Sequence, residues 1–132
     1  MTADKKSITA LIIDDDQMVA DMLGQILQDA GLNTIITFDG KSAIKLYLDK
    51  KPDIIFSDFL MPEINGVMVL KAIKALNAKI PIVLFTGYYN QLMDELKGEI
   101  VKPDRILRKP FIQVEKIHDL IREFFPGYEI DA

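Results

Sequence analysis

The stretch DIIFSDFLMPEING, Asp53 to Gly66, decides how the chain is read. Ile54 to Phe56 is a short apolar run without alternation, the pattern of a strand covered on both faces of a parallel sheet. It ends in Ser57 and a single carboxylate, Asp58. An apolar Phe59-Leu60-Met61, a proline and a turn at Asn65-Gly66 follow before a helical pattern begins. One acid at the end of a buried strand carries meaning only if other polar residues reach the same place.

Outward from that stretch, the chain alternates apolar runs with amphipathic ones. ITALIID reads as a first strand, and DQMVADMLGQILQDAG as a helix with Met18, Met22, Leu23, Ile26, Leu27 and Ala30 on one face. Gly31 stands where a left-handed cap closes that helix. LNTIITF is a second strand. Asp39 is placed to cap a helix carrying Ala43, Ile44, Leu46, Tyr47 and Leu48. After the third strand, DIIFSD, come a helix in GVMVLKAIKALN and a strand in IPIVLFTG, its proline near the start. A helix over about residues 90–97, a short strand in RILRKP and a helix in VEKIHDLIREFF complete the series. Five β–α units in succession predict an α/β fold, a doubly wound five-stranded parallel sheet with helices on both faces and right-handed crossovers.

The length of 132 residues fits one domain, with a core over about 8–125 and a short tail at 126–132. A hydrophobic share of 49% and a charged share of 27% are those of a soluble globular protein. The net charge of −4 gives no surface for tracking nucleic acid phosphates. No cysteine is present, which excludes thiolate metal sites and disulfides. No apolar run approaches the roughly 18 residues of a membrane span, and the N-terminus lacks a signal-peptide pattern. The expected setting is the cytoplasm, with neither nucleic acid nor membrane as partner.

In an open parallel sheet, ligands bind beyond the carboxyl ends of the strands. Strand 1 ends there in Asp14, Asp15 and Asp16, strand 3 in Asp58, strand 4 in Thr86, and strand 5 in Lys109 before Pro110. Any one of these is ordinarily a cap or a loop residue. Their convergence from distant parts of the chain is what matters. Two carboxylates about 4 Å apart repel by roughly 4 kcal/mol at an effective dielectric near 20, so such a cluster either raises the pKa values of its members or recruits a cation. Oxygen ligands without histidine or cysteine favour a hard divalent ion, Mg²⁺ above all. A cation beside a carboxylate nucleophile, with an ammonium and a hydroxyl for the equatorial oxygens, is an arrangement for phosphoryl transfer to Asp58.

LIIDDD, SDFLMPEING, VLFTG and RKPF, in that order from about Ile8 to Phe125, resemble a response-regulator receiver domain, the phosphoacceptor module of two-component signalling. The resemblance implies a flavodoxin-like strand order of 2-1-3-4-5. It implies that Asp58 accepts the phosphoryl group and that Asp15 binds Mg²⁺ directly, Asp14 mainly through water. The Leu60 backbone carbonyl would complete the metal site. Lys109 would contact the phosphoryl group, Thr86 would move toward it, and the Lys109–Pro110 bond would be cis. The implied donor is a sensor histidine kinase or a histidine phosphotransfer protein, and the output is contact with a further protein. The chain is then a signalling phosphoacceptor that assists its own phosphorylation, not a conventional enzyme.

The sequence departs from the family pattern at Ile106, where the switch position on strand 5 calls for an aromatic residue. Leu60 and Tyr88 occupy the two variable positions flanking the acceptor; neither is a good general base, so self-dephosphorylation is expected to be slow. Asp16 reads as a helix cap and His118 as a boundary residue. Two rival readings use the same residues. A haloacid-dehalogenase-type phosphatase would take Asp14 as nucleophile and Asp16 as its partner. It expects a small or β-branched residue where Met18 stands, and it leaves Asp58 and MPEING unexplained. A degenerate receiver that only binds proteins stays open because of Ile106. A flavin binder does not, since three aspartates would repel the flavin phosphate.

Overall fold

A computed structural model describes residues 7–109 and 113–130. Five strands and five helices alternate: β1 (Thr9–Ile13), α1 (Gln17–Asp29), β2 (Asn33–Thr37), α2 (Gly40–Lys50), β3 (Ile54–Asp58), α3 (Gly66–Leu76), β4 (Ile82–Thr86), α4 (Tyr89–Leu96), β5 (Arg105–Arg108) and α5 (Val114–Phe124). The strands form one parallel sheet in the order β2-β1-β3-β4-β5. The order reverses beside β1, which opens a crevice between β1 and β3 at their carboxyl ends. The Lys109–Pro110 bond lies outside the described residues, because Pro110 does.

The sheet separates two apolar layers, and alternate residues of each central strand feed opposite ones. Leu11, Ile13, Ile55, Ile82 and Leu84 join Ala43, Tyr47, Val69, Leu70, Ile73, Leu92 and Leu96 of α2, α3 and α4. Ala10, Ile12, Ile54, Phe56, Val83 and Phe85 join Ala20, Leu23, Leu27, Ile117, Leu120 and Ile121 of α1 and α5. Burial on both faces explains why these strands read as continuous apolar runs.

The starts of α1, α2 and α3 are fixed by short polar side chains. Asp16 accepts from the Met18 and Val19 amides, Asp39 from Ser42, and Asn65 from Met68. Asp16 is therefore a cap, as its position before α1 predicts. The expected core face of α1 needs correction. Met18 and Met22 are exposed, and the buried residues are Ala20, Leu23, Gly24 and Leu27. Those four sit at helical spacing, and Gly24 lets the helix approach the sheet: a Cβ there would lie 3.1 Å from Ile36 Cδ1. On α2, Leu48 likewise faces out. Gly31 does adopt a left-handed φ, 98°.

Two tertiary ties have no counterpart in the sequence reading. Lys74 Nζ donates to the Ile80 carbonyl at 2.6 Å and to Asp104 Oδ2 at 2.8 Å, joining the end of α3 to the starts of β4 and β5. After α5, Tyr128 and Ile130 pack on the α1/α5 layer, and Tyr128 Oη donates to the Gly31 carbonyl at 2.8 Å. Among the described residues no helix is long and apolar enough to cross a membrane.

Candidate functional site

The crevice at the carboxyl ends of β1, β3 and β4 collects the polar residues. Parallel pairing sets their heights: Ile13 lies beside Ser57 and Asp58 beside Phe85. Asp14 therefore follows the last residue of β1 at the level where β3 delivers Asp58, and Thr86 ends β4 one residue further on. Asp14, Asp58 and Thr86 are buried, whereas Asp15 is exposed.

Carboxylate oxygens of Asp14, Asp15 and Asp58 lie within 4.8 Å of one another. Opposite them, Lys109 Nζ is 3.1 Å from Asp14 Oδ2 and 3.3 Å from Asp58 Oδ1. The other Asp14 oxygen accepts the Asp16 amide at 2.9 Å. Asp14 thus anchors both the turn into α1 and the lysine. Asp16 points away into its cap and takes no part in the cluster.

Electrostatics at Asp58 are adverse. Burial and then Asp14 raise its pKa to about 7 from 3.8, and Lys109 only partly offsets them. The Lys109 ammonium is itself opposed by burial, but the two carboxylates outweigh that and hold its pKa above the ordinary lysine value. One ammonium shared between two acids satisfies itself and leaves Asp58 short of positive charge. Among the described residues three carboxylates face one ammonium, and the available ligand atoms are oxygens. This donor set fits a hard divalent cation, and Asp14, Asp15 and Asp58 are the side chains able to hold it.

The loop after β3 is built to a tight tolerance. The Phe59 amide donates to the Phe85 carbonyl at 3.0 Å, and its carbonyl accepts the Gly66 amide at 2.7 Å. A Cβ at Gly66 would come within 2.4 Å of the Asp58 carbonyl oxygen, so only glycine lets α3 start this close to the acid. Leu60 follows Phe59 in the same loop. Ile64 donates to the Pro62 carbonyl at 2.8 Å across Glu63, whose φ is 68°, which makes a tight γ-turn on a non-glycine residue. Asn65 also donates to Glu95 Oε2 at 3.2 Å, linking this loop to α4. The sequence reading took Asn65 and Gly66 as a turn only. Asn before Gly, followed by a helical pattern, is the signal that marks a cap.

Thr86 Oγ1 accepts the Tyr88 amide at 2.8 Å. Ile106 is half-buried on the α2/α3/α4 side of the sheet. Next to Lys109, the Arg108 guanidinium stacks 3.7 Å from the Tyr89 ring centroid, a pairing that sequence reasoning missed because nothing local links the two positions. His118 is half-buried on α5.

A doubly wound sheet here brings three carboxylates and a lysine together at its switch point. The chain belongs to the response regulator receiver domain family, whose model matches residues 10–122. It is 34% identical over 101 residues to the transcriptional regulatory protein CpxR of Escherichia coli, which covers 76% of this chain and 42% of CpxR. It therefore spans less than half the length of that regulator. With protein PilG of Pseudomonas aeruginosa it shares 29% identity over 100% of this chain and 98% of PilG. The solved structure of the chemotaxis protein CheY4 of Vibrio cholerae superposes with a TM-score of 0.80 at 25% identity, covering 91% of this chain and all of CheY4. Receiver domains are signalling modules of two-component systems.

Proposed function

We propose that the chain is a phosphoacceptor in a two-component relay, in which Asp58 takes a phosphoryl group from a phosphohistidine. The observation that carries this reading is the meeting of buried Asp58 with Lys109 and a second buried acid, Asp14, at the switch point of the sheet. An Asp58 carboxylate oxygen attacks phosphorus in line, the P–N bond breaks, and the imidazole leaves with the bonding electron pair. Lys109, already 3.3 Å from Asp58, is placed to neutralise a phosphoryl oxygen, and Asp14 keeps its ammonium in position. Thr86 supplies a hydroxyl for another oxygen.

Mg²⁺ held by Asp15, Asp58 and the Leu60 carbonyl, with Asp14 through water, would keep Asp58 ionised and neutralise the transferring group. The donor is a sensor histidine kinase or a histidine phosphotransfer protein, and the output is contact with a protein target in the cytoplasm. Residues 1–132 act as one receiver unit. Leu60 and Tyr88 provide no base for hydrolysis, so the acyl phosphate outlives a single encounter.

Intact-mass spectrometry with acetyl phosphate tests the reading. One phosphoryl adduct that requires Mg²⁺ and disappears in Asp58→Asn supports it. Steady phosphate release that depends on Asp14, with no adduct, would replace it with a phosphatase.

A further inference from the structure

Ile106 cannot swing a ring between two positions, yet an aromatic residue, Tyr89, lines the same cavity. Tyr89 opens α4, half-buried, with Arg108 stacked on its ring. Thr86 and Arg108 are partners in the β4–β5 register, and the Lys109 amide donates to the Thr86 carbonyl at 2.8 Å. The Thr86 main chain is therefore fixed, and its hydroxyl is the part able to turn.

That hydroxyl now holds the Tyr88 amide. The contact matters because α4 is weakly anchored at this end. Among the described residues no side chain caps it, nor α5, whereas Asp16, Asp39 and Asn65 cap α1, α2 and α3. Its buried residues are Leu92 and Leu96 alone. Cavities of about 580 and 370 Å³ open beside it, and Tyr89 and Arg108 line both. The larger is also bounded by Ile106, so a ring released from Arg108 has space to enter.

We propose that the Tyr89–Arg108 stack is the moving reporter of this receiver, in place of an aromatic residue on β5. When Thr86 Oγ1 rotates to donate to a phosphoryl oxygen on Asp58, it withdraws as acceptor from the Tyr88 amide. The first turn of α4 is then released, and the Tyr89 ring leaves Arg108 and turns into the cavity over Ile106. The inference rests on Asp58 being the phosphoryl acceptor.

Fluorine NMR of the full chain carrying 3-fluorotyrosine tests both claims in one spectrum, with Mg²⁺ and beryllofluoride as the probe. Tyr89→Phe assigns the resonance, and Asp58→Asn identifies the bound beryllofluoride signal by its loss. A bound signal accompanied by a Tyr89 shift of several line widths, with Tyr47 and Tyr128 unmoved, is expected. Arg108→Gln should move the free-state Tyr89 resonance toward the same position. A bound signal with Tyr89 stationary, or an Arg108→Gln spectrum identical to the parent, would overturn the reporter and leave the acceptor reading standing. Absence of any bound signal would overturn both.

Discussion

At Asp58, burial and the neighbouring Asp14 oppose ionisation more strongly than Lys109 favours it, and the consequence is measurable as stability. With a pKa raised from 3.8 to about 7, the folded chain keeps a proton between those values that the unfolded chain has released. Metal-free stability therefore falls as pH rises through that window, and the whole cost, at most roughly 4 kcal/mol, is present above it. Asp58→Asn removes the charge. In urea unfolding at pH 8 without metal it should be more stable than the parent by about 2–4 kcal/mol, and the gap should close by pH 4. A mutant no more stable at pH 8 would contradict this account of the site. Glu63 poses a backbone conflict of the same kind, with φ at 68° in the γ-turn. Glu63→Gly should raise stability by about 0.5–1 kcal/mol, since glycine adopts that region without a Cβ clash.

Among the elements, the β3–α3 loop has the least room. Gly66→Ala would force a Cβ onto the Asp58 carbonyl, and should cost about 1–3 kcal/mol or more in thermal or urea unfolding. Helix starts are tolerant by comparison: Asp39→Ala should cost about 1 kcal/mol for one lost cap, with no effect on phosphoryl transfer in the adduct assay. Strands and caps were legible in the sequence because they are local. Apolar runs as long as a strand, and Asp before a helical pattern, each need only neighbouring residues to be recognised; the Asn65 cap is equally local, but the sequence reading took it as a turn. The buried face of α1 was not. Met18 and Met22 satisfy the same helical spacing as Leu23 and Leu27, and only the close approach allowed by Gly24 selects between the two stripes.

Across the whole molecule, the gathering of Asp14, Asp15 and Asp58 was legible because a parallel sheet sends every strand's carboxyl end to one edge. What escaped notice depends on pairs far apart in sequence with no motif to join them. Lys74 with Asp104, Tyr128 with Gly31, and Arg108 with Tyr89 are contacts that the completed fold creates. At this scale the cation couples to folding. In the parent chain at pH 8, saturating Mg²⁺ should raise the urea midpoint, because binding acts on the folded state and relieves repulsion within the cluster. The gain should shrink in Asp14→Asn. The most direct measurement is the position of the phosphoryl group. After reaction with acetyl phosphate and Mg²⁺, borohydride reduction converts an acyl phosphate to an alcohol that peptide mass spectrometry can locate. The account predicts reduction at Asp58 alone; reduction at Asp14 or Asp15, or a phosphoryl group on a residue that borohydride does not reduce, would contradict it.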